Sequence, residues 1–238
     1  MQFNDTVTNT GIVQQARQLM RVDSNQWATS KIVNSTNNYL DTVAGYAIGA
    51  DRRFQWDDTN HSKLPQGTTN LVANKSDYSF LTDEQGNRIL TLTRIDVQDA
   101  NGSWVQLIPI DQFQVVGALD EFMSGTGNPV YYDKINDNVI RLYPKPAESV
   151  TSGLKFYFQR TPSYFTATDT TKEPGVPSLL HRGFVIASAY DGALALGLNN
   201  LQALLVEVQR EQAKMEEYFT HRETDEPNVI RTKYRNPR

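Results

Sequence analysis

Apolar positions along this chain change their spacing twice. From about residue 10 to 54 they recur at steps of three and four, the period of helices that face a core on one side. "TGIVQQARQLMRV" predicts a stripe of Ile12, Ala16, Leu19 and Met20. In "NQWATSKIVNSTNNYLDTVAGYAIGADRRF" the stripe is Ala28, Ile32, Ser35, Tyr39, Val43 and Tyr46, with Asp23 or Ser24 as the cap. Asn34, Asn37 and Asn38 fall on the opposite face, which predicts packing on one side only.

From about 76 to 160 the period drops to two, that of half-buried strands. "DYSF" alternates at Tyr78 and Phe80, and "RILTLTRIDV" puts Ile89, Thr91, Thr93, Ile95 and Val97 on one face. Asn101-Gly102 predicts a tight hairpin turn, and "SWVQLIP" returns with Trp104, Gln106 and Ile108 set against Val105 and Leu107. "NPVYYDKINDNVIRLYPKP", residues 128 to 146, reads as a second hairpin. Its arms are Val130 to Tyr132 and Val139 to Tyr143, its turn is "DKINDN", and Pro144 and Pro146 end the ladder. In "GLKFYFQR", Leu154, Phe156 and Phe158 face one way and Lys155, Tyr157 and Gln159 the other.

The helical period then returns. "SLLHRGFVIASAYDGALALGL" aligns Leu180, Phe184, Ala187, Asp191, Leu194 and Leu198, opened by Pro177 and Ser178. "LQALLVEVQREQAKMEEYFTHR" sets Leu201, Leu205, Val208, Gln212, Met215 and Phe219 at heptad-like spacing, with Glu207–Arg210 and Lys214–Glu217 able to pair and His221 and Arg222 near the carbonyl end. The predicted fold class is α+β: a helical bundle from both chain ends with an inserted antiparallel β-sandwich or small β-barrel module. The divisions are an N-terminal helical part at 1–55, a β-rich module at 56–165, a helical hairpin at 166–222 and an extended basic arm at 223–238.

Composition narrows the chemistry. With no cysteine, disulfides, Cys-ligated zinc and a cysteine nucleophile are excluded. No run approaches the ~20 apolar residues of a membrane span, and "MQFNDTVTNTGIVQQ" lacks the basic and apolar parts of a signal peptide. The net charge of −4 is uneven: "VIRTKYRNPR" carries Arg231, Lys233, Arg235 and Arg238 and no acid. Setting those four aside leaves 19 basic residues against 27 acidic ones, or −8 for the rest. Such a body repels phosphate, while the tail reads as a frayed, solvated terminus or as a segment that docks on an acidic partner.

Candidate chemistry is sparse. Asp57, Asp58 and His61 in "WDDTNH" are the best cluster for a metal or acid–base pair, although carboxylates in loops more often cap backbone amides. "MSGTGNP" has no lysine and reads as a flexible connection, not a phosphate loop. Asp191 reads as a hydrogen-bonded packing element. No G-x-S-x-G elbow and no H-E-x-x-H spacing occurs, so no enzyme is predicted and no cofactor or metal is assigned. Tyr131, Tyr132, Tyr143, Tyr157 and Tyr164 read as half-buried or interface tyrosines that need no ligand, the alternative being a sheet surface that binds glycan.

Several stretches, "KIVNSTNNYLDTVAGYAIGADRRFQWDDTN", "LPQGTTNLVANKSDYSF", "GSWVQLIPID", "NPVYYDKINDNVIRLYPKP", "GLKFYFQRTPSYF", "VPSLLHRGFVIASAYDGALALG" and "VQREQAKMEEYFTHR", resemble the head-to-tail connector (adaptor) proteins of tailed bacteriophages. The resemblance spans about residues 12 to 222 and carries no catalytic signature. It implies a non-enzymatic virion subunit, made in the host cytoplasm and located at the neck. Copies would form a ring, usually twelvefold, beneath the portal protein. That ring would extend the channel for passing DNA and dock a stopper or tail protein. By position, Arg231, Lys233, Tyr234 and Arg235 would be the arm that contacts the portal or a neighbouring subunit.

Overall fold

A computed structural model describes residues 1–50, 65–99, 101–111, 115 and 119–220. Asp57, Asp58, His61, His221, Arg222 and the basic arm at 223–238 lie outside the described residues.

Helix α1, Ile12–Met20, buries Ile12, Val13, Ala16 and Met20. Val13 takes the place expected for Leu19, which is 40% exposed. Arg21 closes the helix in the left-handed conformation at φ 58°, its N–H reaching the carbonyls of Arg17 and Gln18. The Asp23 carboxylate accepts N–H groups from Asn25 and Gln26, so it folds the intervening turn and α2 starts later, as Thr29–Ala50. On α2, Ile32, Ser35, Thr36, Tyr39, Leu40, Val43, Ala44 and Ala47 are buried. Most of the predicted stripe is therefore present, with a second row beside it.

Helix α4, His181–Leu196, packs against α1, against α2 and against α5, Leu201–Thr220. It is buried from His181 to Ala189 except at Arg182, and again at Gly192 and Ala193. A helix apolar all round is the centre of its core, which is why a one-face reading of α4 was incomplete. Leu194, expected inside, is 56% exposed because the buried stretch ends at Ala193. Two glycines admit bulky neighbours: a Cβ at Gly183 would lie 2.5 Å from the Tyr39 hydroxyl, and one at Gly192 would strike Met20 Sδ. On α5 the seam is Leu204, Glu211, Met215 and Phe219, one residue off the predicted line at Gln212. Lys214 accordingly pairs with Glu211 at 2.5 Å and not with Glu217, while the Glu207–Arg210 pair forms at 3.3 Å.

A second apolar core lies between two four-stranded sheets. Its residues include Leu71, Tyr78, Phe80, Ile95, Val97, Leu107, Ile140, Leu142, Leu154, Phe156 and Phe158. The strands are β1 Gln66–Leu71, β2 Asp77–Ser79, β3 Ile89–Gln98, β4 Trp104–Gln106, β5 Ile108–Pro109, β6 Thr126–Gly127, β7 Tyr131–Asn136, β8 Val139–Tyr143, β9 Lys145–Pro146 and β10 Val150–Arg160, with α3, Leu119–Ser124, before β6. Sheet I runs β1-β10-β3-β4 and sheet II β2-β8-β7-β5. The chain passes from one to the other at buried Leu107, whose N–H bonds Ile95 of sheet I while Ile108 bonds Val130 beside sheet II. The barrel alternative is corrected: among the described residues the strands form open sheets with no closed barrel, since each sheet ends in an unpaired edge strand.

Local departures have local causes. The β3–β10 register shifts between Tyr157↔Arg94 and Phe158↔Leu92, which leaves Thr93 as the extra residue of a bulge. Beyond it the face inverts, so Thr91 and Thr93 are exposed and Leu92 packs on the core. Gln159 pairs with Thr91 on the outer face, as expected, yet is only 4% exposed there. Gln98 pairs with Trp104, so the loop expected as a two-residue turn spans Asp99 to Ser103, held by Asp99 Oδ1 bonding the N–H of Asn101 and Ser103. The second hairpin is tighter than expected: Asn136 pairs with Val139, and the Asn138 N–H bonds the Asn136 side chain. Pro144 does end β8, but Lys145–Pro146 pairs in parallel with Thr126–Gly127. That pairing uses the N–H of Lys145 and Ala147, so proline's missing donor is not called on. The presumed flexible stretch "MSGTGNP" thereby contributes strand β6.

Candidate functional site

The hairpin β7–β8 is anchored on both sides. Arg141 on β8 forms a two-pronged pair with Asp77 on β2, Nε–Oδ1 at 2.7 Å and Nη2–Oδ2 at 2.9 Å. These bonds hold the Asp77 carboxyl below its usual range and raise the guanidinium further. Phe122 lies 5.1 Å from the Tyr143 ring and 6.5 Å from that of Tyr131, joining α3 to the same hairpin. On the other face, Tyr132, Asp133, Lys134 and Ile140 meet Thr91, Leu92, Pro109 and Ile110 around an open groove of about 250 Å³.

The five tyrosines of the alternative glycan reading do not share one surface. Tyr143 is 2% exposed and Tyr132 borders the groove. Tyr157 is in sheet I beside Arg94, 5.9 Å from its ring, and Tyr164 donates its hydroxyl to Asp41 on α2 at 2.6 Å. Burial, and then that bond to a carboxylate, push the Tyr164 phenol up to about 12. The outer face of sheet I instead carries Lys155 at 4.0 Å from the Trp104 ring and Arg94 paired at 2.6 Å with Asp96, itself only 3% exposed.

The most elaborate polar contacts lie where β10 leaves the sheets and the chain rejoins the helices. Arg160 and Asp83 form an ion pair at 3.2 Å with side-chain exposures of 1% and 5%. Arg160 also donates to the Thr161 carbonyl and the Ser163 hydroxyl. Asn37 on α2 donates to the Phe165 carbonyl at 3.0 Å and accepts from its N–H at 2.8 Å. Phe165 stacks on Phe3 at 4.8 Å, and Phe3 donates its N–H to Lys172. Asp83, Asp96 and Arg160 were not singled out by sequence reasoning, and Asn37 was read only as part of the polar face of its helix. The available signal for Asn37 was its poor helix propensity in mid-helix, where such a residue needs a partner.

Among the described residues, His181 and Asp191 lie in packed positions. His181 is buried, with Nε2 2.8 Å from the Val176 carbonyl, and burial pushes its pKa down. Asp191 is half-buried on α4 with Ser35 as hydrogen-bond partner, and burial raises its pKa. Among the described residues no group of three or more histidines and carboxylates is placed to hold a metal ion, and no helix is long and apolar enough to cross a membrane. Among the described residues the ion pairs lie within the sheets or within the helical part, and Asn37 ties Phe165, in the segment after β10, to α2.

A comparison of sequences supplies the class. The profile of the SU10 adaptor protein family matches residues 8–232, nearly the whole chain, and the protein belongs to that family. It is a bacteriophage structural adaptor and a virion component, a class whose role is non-enzymatic. Among curated proteins, none matches the chain.

Proposed function

We propose that this adaptor works at the neck of a tailed bacteriophage, as a subunit of a homo-oligomeric ring between the portal protein and the stopper or tail. The observation that carries the reading is the family match across 8–232, which takes in the helical segments and both sheets. In this reading α1, α2, α4 and α5 are a helical bundle that builds the ring, and the sheets are a module inserted in it. The arm around Arg231, Lys233, Tyr234 and Arg235 grips the portal. The excess of acid elsewhere suits a channel wall, since attraction between wall and phosphate would retard the DNA.

Co-sedimentation of purified full-length protein with portal rings tests this, beside a variant lacking residues 229–238. Full-length protein should pellet with the rings, and the truncated one should bind at least tenfold more weakly while keeping its circular-dichroism melt. Equal binding by both refutes the arm assignment, and no binding by either refutes the docking role.

A further inference from the structure

Among the described residues the two edges of sheet I lack the charge and the proline that commonly guard an edge, although β4 is as short as β2 and β1 carries a register shift between Thr69 and Leu71. Natural edge strands are kept from pairing by charge, proline or brevity. Sheet II follows that rule: β2 is three residues long and tied by Asp77 to Arg141, and β5 is two residues long and ends in Pro109. In sheet I, edge strand β1 reads QGTTNL and edge strand β4 reads WVQ, with no charge and no proline in either. Apolar side chains are exposed along β4 and just beyond it, Trp104 at 39%, Val105 at 45% and Ile108 at 53%.

The hydrogen-bond pattern shows which groups face outward. Phe158 donates its N–H to the Pro65 carbonyl, so alternation along an antiparallel pair turns the backbone of Gln66 and Thr68 toward the free edge. At the other edge, Leu107 bonds Ile95 and Asp99 bonds Ser103, which turns the backbone of Trp104 and Gln106 outward. Strand direction then selects the occupant. All three pairings within sheet I are antiparallel, so its four strands alternate and β1 and β4 run oppositely. A β1 strand from another copy, laid along β4, continues the alternation with both copies pointing the same way and the same face outward. Sheet II lacks this property, because β5 pairs in parallel with β7.

We infer that β4 of one copy and β1 of the next are matching edges, through which sheet I runs on from subunit to subunit. This is a head-to-tail contact, the kind that closes into a ring when repeated by rotation. It rests on the ring reading and assigns the surface that makes the ring.

The lack of native cysteine makes the test clean. Thr68→Cys and Gln106→Cys are placed together in the full-length protein, both at exposed positions. Assembly is followed by electron microscopy, and the thiols are joined with a short bis-maleimide. Within one chain the two edges are three strand spacings apart, about 14 Å, too far for such a linker. The expected result is rings, and a ladder of covalent multimers from the double variant. Each single variant should give no ladder, and a mixture of the two singles should give a dimer. Val105→Lys with Thr68→Lys, folded by circular dichroism, should need at least tenfold more protein to form rings. Rings without a ladder overturn the edge assignment and leave the ring reading standing. A dimer from Gln106→Cys alone overturns it in favour of a two-fold β4–β4 contact. Absence of rings, both in solution and in virus particles carrying the variant, removes the ring reading and this inference with it.

Discussion

Replacing Asn37 by alanine should do disproportionate damage for a half-buried helix residue. Its amide donates to the Phe165 carbonyl and accepts from the Phe165 N–H, and Phe165 is 2% exposed. Each bond contributes about 1 kcal/mol net, and a buried backbone group left unpaired costs about 1–3 kcal/mol. Water reaches the Asn37 side of the contact, so we expect a loss of about 3 kcal/mol, between the two limits. For a chain of this size that corresponds to a fall in Tm of about 6–12 °C. Urea unfolding measures it, with far-UV circular dichroism as the probe. Asn37→Asp keeps the acceptor, loses the donor and sets an anion against the Phe165 carbonyl, so it should forfeit at least half as much. If Asn37→Ala lies within about 0.5 kcal/mol of wild type, the connector is not held by this amide and the reasoning fails.

The ion pairs should separate by burial. Asp83→Ala leaves Arg160 buried beside an empty site and should cost about 3–5 kcal/mol. Asp77→Ala, where the carboxylate is 45% exposed, should cost about 0–1 kcal/mol in the same urea assay. Burial depresses the pKa of His181, so its contribution to stability should be complete above its ordinary value of about 6.5 and fade as the pH falls below it. Melts between pH 7 and 5 should decline in the wild type and decline less in His181→Asn. Gly183→Ala should destabilise by about 1–3 kcal/mol because its Cβ meets the Tyr39 hydroxyl, outweighing the gain of about 1 kcal/mol in helix propensity. Among the described residues that buried hydroxyl has no hydrogen-bond partner, so adding Tyr39→Phe should recover part of the loss, as read by Tm.

Period and polarity in the sequence carried the layout. The stripes at Ile12, Ala16 and Met20, at Ile32, Tyr39 and Val43, and at Leu154, Phe156 and Phe158 are all buried. What they could not carry is anything that depends on a partner strand or helix. The bulge at Thr93 exists only because β10 is paired alongside, and one extra residue there exchanges Thr91 for Leu92 at the core. The seam of α5 passes through Glu211 and not Gln212 because of how it crosses α2 and α4, which no heptad count reveals. Asn37 was assigned to solvent since its polarity matches Asn34 and Asn38, while its partner sits 128 residues away. The candidate site fared similarly. The tyrosines were visible in the sequence, but their dispersal over separate surfaces follows from strand register and from Tyr164 docking on α2.

In the role we propose, this chain is a wall segment between head and tail. Imaging of intact virus particles at a resolution that traces the backbone tests it most directly. The expected density shows the two packed cores repeated around the DNA channel directly below the portal, with sheet I continuous between neighbours. Finding the same fold at a fibre tip, or no copy of it at the head–tail junction, would contradict it.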